Sequence, residues 1–204
     1  MSSQEHWDSI YHNKAADEVS WYQVEPSVSL RLIESTRLTL DDSIIDVGAG
    51  ASLLADCLVN KGCQRLTVLD WSPKALSLAQ ARLKQATNAV TWEVADVLHY
   101  KPVQQYALWH DRAVLHFLTS AEDREKYRAQ LQQCVCLGGY VIVASFSVGG
   151  PTRCSGLDTV QYDRNTMAVQ IGRGFVFVDE ALENHVTPDG IEQRFSYFVF
   201  QKTS

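Results

Sequence analysis

Apolar residues occur along the central part of the chain in short runs rich in β-branched side chains, and helical patterns separate these runs. The runs are Ser43–Val47, Leu66–Asp70, Val90–Ala95, Tyr106–His110 and Tyr140–Phe146. Strands that alternate with helices are typical of βαβ units, whose strands form a parallel sheet. The pattern therefore predicts a doubly wound, mostly parallel α/β fold over this part of the chain.

Local signals predict where the intervening helices begin and end. Ser72 followed by Pro73 is an N-cap with proline at the first helical position, so a helix is predicted from Pro73 to about Gln85. The helix after the first strand is predicted to start near Ala51 and to end at Gly62.

A further helix is predicted before the fifth strand. Ser120 and Asp123 form its capping signal, and the glycine pair at 138–139 is predicted to end it. The stretch between the third and fourth strands, residues 97–104, is short, so any helix there is brief.

The two flanks of the central region have different patterns. Residues 5–40 look largely helical, whereas residues 147–162 read as a long irregular loop. The segments 175–186 and 191–200 flank a Thr-Pro-Asp-Gly turn, which predicts an antiparallel hairpin at one edge of the sheet. Residues 1–204 are thus expected to form one domain, made of an N-terminal helical lid (1–40), a ligand-binding core (41–146) and a loop with the terminal hairpin (147–204).

Composition narrows the class of protein. A chain of 204 residues with 46% apolar and 21% charged residues is typical of one globular domain, and no apolar run is long enough to span a bilayer. The polar N-terminus lacks a secretory or transit pattern, which points to the cytoplasm. A net charge of −6 with no basic run argues against nucleic-acid binding. The five cysteines lack zinc or redox spacing and are expected to be reduced, and no metal site is predicted.

A glycine-rich turn follows the first strand and opens a helix, at the strand ends where ligands bind in open α/β sheets. Asp70 lies 20 residues beyond Gly50 at the end of the second strand, the spacing at which a carboxylate meets the ribose hydroxyls of a bound nucleoside. A pyrophosphate would need a third small residue where Leu53 stands. The pattern favours a ligand that contains adenosine but no phosphates. The alternative is that the glycine turn serves packing alone.

These residues resemble the class I S-adenosylmethionine-dependent methyltransferases, which implies a seven-stranded Rossmann-like fold and S-adenosylmethionine as cofactor. The segment Asp46-Val47-Gly48-Ala49-Gly50 is similar to the first motif of the family, whose loop wraps the methionine moiety. The resemblance assigns Asp70 to the ribose, Asp96 to the adenine amino group and Val97 to the side of the ring. Trp71 is a candidate for contact with adenine, with a place in the core as the alternative.

Other motifs bear on the methyl acceptor. The segment 109–117 is similar to a branch of small methyltransferases that also carry His-Trp-Asp near the N-terminus and Cys-Ser-Gly-Leu later, here residues 6–8 and 154–157. Part of the pattern resembles the protein-lysine methyltransferases, with Trp21 and Tyr22 in an N-terminal aromatic lid. The resemblance therefore leaves a small molecule and a protein lysine open as acceptors.

Two residues are candidates for a catalytic role. His116 is a candidate general base because the ordinary pKa of histidine lies near neutrality, and packing against the next helix is the alternative. Asp111 is predicted to border cofactor and acceptor, unless it pairs with Arg112 or with loop backbone. The aromatic residues Tyr11, Trp21 and Tyr22 are candidates to close over the cofactor and to offer ring faces to its sulfonium, with anchoring of the N-terminal helices as the alternative. Candidates for the acceptor mouth are Arg153, Cys154, Gln193 and Arg194.

Two other classes of function stay open. A nicotinamide-dependent oxidoreductase would also use Asp70 for ribose, but Leu53 and the lack of a second domain count against it. A non-catalytic S-adenosylmethionine-binding partner protein is the other alternative.

Overall fold

The structure is a computed structural model that describes residues 4–83 and 88–204. Its helices are α1 (Gln4–Asn13), α2 (Ser27–Ser35), α3 (Leu54–Asn60), α4 (Pro73–Arg82), α5 (Ala121–Cys134) and α6 (Arg164–Ile171). Its strands are β1 (Ile44–Val47), β2 (Leu66–Asp70), β3 (Val90–Val94), β4 (Tyr106–Arg112), β5 (Val135–Phe146), β6 (Arg153–Cys154), β7 (Leu157–Asp158), β8 (Phe175–Val186) and β9 (Glu192–Lys202).

Seven strands form one sheet in the order β3-β2-β1-β4-β5-β9-β8. The first five are parallel, whereas β9 runs antiparallel to β5 and β8 antiparallel to β9. The predicted seven-stranded, mostly parallel sheet with a terminal hairpin is confirmed. The strand order reverses between β1 and β4, so ligands are expected at the carboxyl ends of these two strands.

Helices cover both faces of the sheet, as a doubly wound fold requires. Alternate residues of each strand point to opposite faces, and Ile44 and Ile45 accordingly belong to two different apolar clusters. The first cluster contains side chains of α2, α3 and α4, and the second contains side chains of α5 and α6. Every residue of β1 and β2 is buried, which explains why their sequences are mostly apolar without alternation.

The capping signals place two helix starts correctly. The Ser72 hydroxyl accepts a 3.1 Å hydrogen bond from the Ala75 amide at the start of α4, and the Ser120 hydroxyl accepts one of 3.0 Å from Asp123 at the start of α5. Within the described residues α4 ends at Arg82, and the predicted end at Gln85 lies outside them. Helix α3 begins at Leu54, three residues later than predicted.

The glycine pair 138–139 does not end α5, and that prediction is wrong. The helix ends at Cys134, and β5 begins at the next residue. Residues 136–139 form an irregularity inside β5, because Val135 pairs with Tyr106 whereas Tyr140 pairs with Leu108. Gly138 has a φ of +81° there, which suits a bulge.

The structure differs from the sequence predictions in the N-terminal segment, which contains less helix than predicted, and after β5, where there is more regular structure than predicted. Residues 14–26 between α1 and α2 are not helical, and residues 97–104 contain only a 3₁₀ turn at Val97–His99. The segment 147–162, expected to be irregular, contains the short hairpin of β6 and β7. Helix α6 was missed, although Asp163 and Thr166 form a reciprocal capping box at its start.

Among the described residues no helix combines the length and the apolar character needed to cross a membrane.

Candidate active site

The larger cavity lies at the carboxyl ends of β1, β2 and β4 and has about 890 Å³ of empty space including its open mouth. We call it the main cleft and distinguish two parts. The strand-end half is lined by Leu69, Asp70, Trp71, Ala95, Asp96 and Val97, and the aromatic half by Trp7, Trp21, Arg112, His116, Phe117 and Phe195.

The glycine turn brings backbone close to its neighbours at two positions. Gly48 has a φ of +60° and Gly50 a φ of +57°, a region that side chains rarely adopt. A Cβ on Gly48 would lie 2.0 Å from Val114, and one on Gly50 would lie 2.2 Å from the Tyr11 hydroxyl. Ala49 between them donates a 3.1 Å bond to the Leu69 carbonyl. Gly48 lines the main cleft, so the turn presents bare backbone there.

Asp70 faces the main cleft from the end of β2. Its Oδ2 accepts a 2.7 Å bond from the Gly50 amide, and its Oδ1 accepts one of 2.7 Å from the Ser72 amide. Burial raises the pKa of Asp70 to about 6, although the two amides partly offset this effect. Each carboxylate oxygen has a second lone pair, so the group has acceptor capacity left for a ligand hydroxyl.

The predicted adenine side of the cleft contains Trp71, Asp96 and Val97, and all three line it. Asp96 caps the 3₁₀ turn, because its Oδ1 accepts a 2.9 Å bond from the Leu98 amide. The other oxygen lies 2.9 Å from the Nδ1 atom of His99. The sequence and the structure thus agree on a set of residues that lie together at the ends of β2 and β3.

Asp46 does not line the main cleft. It borders a smaller side cavity, lined also by Ser29 and His110, on the other side of the glycine turn. Its Oδ1 lies 2.7 Å from the Nδ1 of His110, whose Nε2 lies 2.9 Å from the Ser29 hydroxyl. All three side chains are buried. Because these contacts join β1, β4 and α2, Asp46 is placed to hold the scaffold beneath the turn.

Asp111 also does not line the main cleft, which corrects the expectation that it borders both cofactor and acceptor. Its carboxylate accepts bonds from the amides of Val114 (2.9 Å) and Leu115 (3.1 Å) and from the Tyr127 hydroxyl (2.6 Å). Burial raises its pKa to about 6. The structure agrees with the alternative, in which Asp111 pairs with loop backbone.

His116 lines the aromatic half and is fully buried. Its ring lies among Phe117 (4.4 Å between centroids), Phe146 (4.7 Å) and Phe195 (6.4 Å). Neither ring nitrogen has a hydrogen-bond partner within the described residues. Burial, reinforced by the charge of Arg112, lowers the pKa of His116 to about 3. The imidazole is therefore neutral at neutral pH and weakly basic, which leaves little driving force for a general base.

Arg112 joins the walls of the aromatic half and was not singled out as a site residue in the sequence. Its guanidinium donates to the Tyr197 hydroxyl (2.9 Å) and to the Trp21 carbonyl (3.1 Å), and it lies 3.4 Å from a Glu183 oxygen. The same group lies 4.5 Å from the centroid of Phe195. Arg112 thus fixes the N-terminal segment to β8 and β9.

Aromatic residues of the N-terminal segment cover the cleft. The Tyr11 hydroxyl accepts bonds from Trp21 Nε1 (3.2 Å) and from the Ala51 amide (3.3 Å), which ties α1 to the glycine turn. Trp7, which the sequence offered only as part of a motif, contacts Trp21 and Phe117 at centroid distances of 6.1 and 5.0 Å. Tyr22 lines only the side cavity.

The four predicted residues of the acceptor mouth separate into two pairs. Cys154 and Gln193 line the main cleft, whereas Arg153 and Arg194 are exposed and do not line it. Burial raises the pKa of the Cys154 thiol, so the protonated form prevails at neutral pH. Phe117, which the sequence offered only as part of a motif, and Phe195 were not predicted as site residues. The sequence signal for Phe195 is the largely apolar run of β9, which predicts a buried strand but not the neighbours of its side chains.

The strand order and the cleft at the carboxyl ends of the strands define a Rossmann-like fold, and comparisons with known proteins find the same fold in methyltransferases. Residues 44–139 match the family model described as a methyltransferase domain. The match supports the predicted methyltransferase domain over this part of the chain, and the similar solved structures share its fold. No group of His, Cys, Asp or Glu suited to a metal ion occurs in residues 4–83 and 88–204.

Individual relatives are distant. EEF1A lysine methyltransferase 2 of Mus musculus is 23% identical over 71% of this chain and 66% of its own length. Nodulation protein S of Sinorhizobium fredii is 26% identical over 67% of this chain and 64% of its own length. Both matches thus span slightly less than two thirds of the relative. The crystal structure of the N-methyltransferase NodS from Bradyrhizobium japonicum with S-adenosyl-L-homocysteine is 18% identical, with a TM-score of 0.72 over 98% of this chain and 100% of that chain.

Proposed function

We propose that this protein transfers a methyl group from S-adenosylmethionine to an acceptor bound in the aromatic half of the main cleft. The observation that carries the proposal is the continuity of the cleft. Its strand-end half offers a carboxylate with free lone pairs and a glycine turn with no room for a Cβ, and it opens directly into a second half with aromatic walls.

The residues of the strand-end half fit S-adenosylmethionine. Asp70 would accept from the ribose hydroxyls, Asp96 and Val97 would hold the adenine, and Trp71 would lie beside it. The turn of Gly48, Ala49 and Gly50 would face the methionine moiety, while Asp46 would support that turn from the side cavity. The bound cofactor supplies an electrophilic methyl group on its sulfonium.

The protein's own part in such a displacement is to orient and to exclude water. Trp21 and Tyr11 would close the N-terminal segment over the cofactor. His116 is weakly basic, so proton removal by this residue would contribute little. We therefore assign His116 to acceptor binding rather than to general-base catalysis. With Asp111 held by loop backbone, no general base is invoked.

The names of the relatives suggest more than one class of methyl acceptor. The NodS structure carries the name N-methyltransferase, and the mouse relative is named as a lysine methyltransferase. These names leave both a small molecule and a protein lysine open as acceptors. The cytoplasmic location, inferred from the N-terminal sequence, stays a prediction.

Ligand binding tests the donor. S-adenosylmethionine or S-adenosylhomocysteine at about 100 times its dissociation constant should stabilise the protein by about 2.7 kcal/mol, whereas NAD should not, because Leu53 stands where a pyrophosphate site needs a small residue. The measurement is a thermal shift with each of the three compounds. A shift with NAD alone would favour the oxidoreductase, and binding without transfer of labelled methyl to a metabolite and peptide panel would favour a non-catalytic partner protein.

Cofactor affinity should depend on pH through Asp70. Its pKa of about 6 in the free protein means that the carboxylate is protonated below that pH and loses acceptor strength. We expect the affinity for S-adenosylmethionine to be constant above about pH 7 and to fall several-fold between pH 6 and 5. Calorimetric titrations across this range check it, and Asp70→Asn should give a flat profile. A wild-type profile that is equally flat would count against ribose binding by this carboxylate.

A further inference from the structure

We propose that the aromatic half of the main cleft takes a small, uncharged, planar acceptor and that the buried imidazole of His116 forms a hydrogen bond with it. The inference rests on the proposed methyl transfer and adds to it the class of the acceptor. The observation behind it is an unpaired polar side chain in the wall of an otherwise apolar chamber.

An imidazole without a partner is unusual in a protein interior, because the large majority of buried polar side-chain atoms are hydrogen-bonded. His116 is fully buried, and its three nearest aromatic neighbours are phenylalanines, which offer no donor or acceptor. In its neutral form the ring has one N–H donor and one nitrogen acceptor. A ligand in the cleft that carries an X–H group or a carbonyl would satisfy it.

The walls of the aromatic half suit a planar molecule. Trp7 contacts both Trp21 and Phe117 edge to face, and the Phe195 ring lies against the Arg112 guanidinium. Such faces stack well on flat rings. Because Trp7 reaches from α1 to Phe117, it roofs this half of the cleft and favours a small ligand over a side chain of a folded protein.

The charges argue against a cationic acceptor. Among the residues of the aromatic half, Arg112 is charged and none is a carboxylate; its partner Glu183 stands on β8 and does not line the cleft. The cofactor would add a sulfonium to the same space. A bound ammonium would face the sulfonium and the Arg112 guanidinium, whose charge Glu183 only partly offsets, with no carboxylate among the residues that line this half. An uncharged nucleophile avoids this repulsion.

The transfer balances without a base in the protein. A lone pair of the acceptor heteroatom forms the bond to the methyl carbon while the carbon–sulfur bond breaks, and that electron pair stays on sulfur as a thioether. The product cation then releases its X–H proton to water. His116 orients the acceptor through a hydrogen bond and does not take up the proton.

Two probes of similar size test the class of acceptor. Benzimidazole is planar and uncharged at neutral pH, whereas benzylamine carries an ammonium. With S-adenosylhomocysteine bound, we expect calorimetry to show that benzimidazole binds at least tenfold more tightly than benzylamine. Equal or tighter binding of benzylamine, or no binding of benzimidazole, would overturn the inference. If S-adenosylhomocysteine itself does not bind, the proposed function fails instead.

The variant His116→Phe tests the hydrogen bond. Replacing an unpaired buried imidazole by an apolar ring should raise the melting temperature of the free protein. The variant should bind benzimidazole at least tenfold more weakly, while its affinity for S-adenosylhomocysteine should not change. Tyr162→Phe is the matched control, because the Tyr162 hydroxyl is also buried and unpartnered in the described residues but does not line the cleft. It should not change benzimidazole binding. Unchanged benzimidazole affinity in His116→Phe would refute the role of His116.

Discussion

Asp70→Ala is expected to weaken S-adenosylmethionine binding by about tenfold to a hundredfold. A hydrogen bond to a charged group contributes about 1.5–3 kcal/mol, and each 1.4 kcal/mol corresponds to a factor of about ten in the dissociation constant. The carboxylate lines the cleft, and each of its oxygens already accepts one backbone bond of 2.7 Å, which fixes its orientation. Asp70→Asn should lose less affinity for S-adenosylmethionine, because the amide keeps one oxygen acceptor.

The same variant should also lose stability, because the Asp70 carboxylate accepts hydrogen bonds from two backbone amides. Without Asp70 the amides of Gly50 and Ser72 lose their acceptor, and each unsatisfied amide that stays buried costs about 1–3 kcal/mol. A carboxylate at the mouth of an empty site would support little of the core, but this one holds the glycine turn. Affinity must therefore be measured where the variant is still folded, by calorimetry at low temperature.

Asp111→Asn provides the control that matches Asp70→Asn. Asp111 is also buried, also accepts from two backbone amides and also has its pKa raised to about 6, but it does not line the main cleft. It should lose stability with little change in S-adenosylmethionine affinity. If both variants changed affinity equally, the effect at Asp70 would reflect loss of local order, and the ribose role would lose its support.

The contrast between Asp70 and Asp111 shows which parts of the site the sequence could predict. Asp70 is found because its distance from Gly50 along the chain is set by one βαβ unit, a local pattern. Asp111 follows His110 on β4, and neighbouring residues of a strand point to opposite faces. His110 meets Asp46 on one face, and Asp111 meets Tyr127 of α5 on the other. The sequence pattern of a strand buried on both faces does not say which face borders a ligand.

The aromatic half was harder to predict because its residues come from distant parts of the chain. Phe195 reaches the cleft only because β9 inserts between β5 and β8, and Trp7 because α1 packs over the turn after β4. Neither arrangement leaves a periodic signal. Strands β1, β2 and β4 were predicted well for the opposite reason: each is a buried, mostly apolar run between clear breaks, as Leu66–Asp70 illustrates.

Gly50→Ala is expected to destabilise the protein by about 2–5 kcal/mol. A side chain at positive φ costs about 1–2 kcal/mol, and Gly50 has a φ of +57°. The added methyl would lie 2.2 Å from the Tyr11 hydroxyl, and relief of such crowding in a packed site costs about 1–3 kcal/mol more. Tyr11 is buried and holds Trp21 and the Ala51 amide, so its ring cannot move away freely.

A double-mutant cycle separates the two contributions. Tyr11→Phe removes the oxygen that the new methyl group would meet, and the nearest remaining ring atom lies 3.3 Å from it. Gly50→Ala should therefore cost about 1–3 kcal/mol less in the Tyr11→Phe protein than in the wild type. Gly190→Ala isolates the backbone contribution, because Gly190 has a φ of +80° and nothing within 4 Å of the added methyl.

Chemical denaturation of the four proteins of the cycle and of the Gly190→Ala control gives the required free energies of unfolding. Strictly additive effects of Gly50→Ala and Tyr11→Phe would mean that the hydroxyl does not press on the turn. In that case α1 would not be held against Gly50. The predicted coupling would instead mean that the lid helix and the glycine turn act as one unit, so that displacement of α1 also loosens the backbone that faces the methionine end of the cofactor.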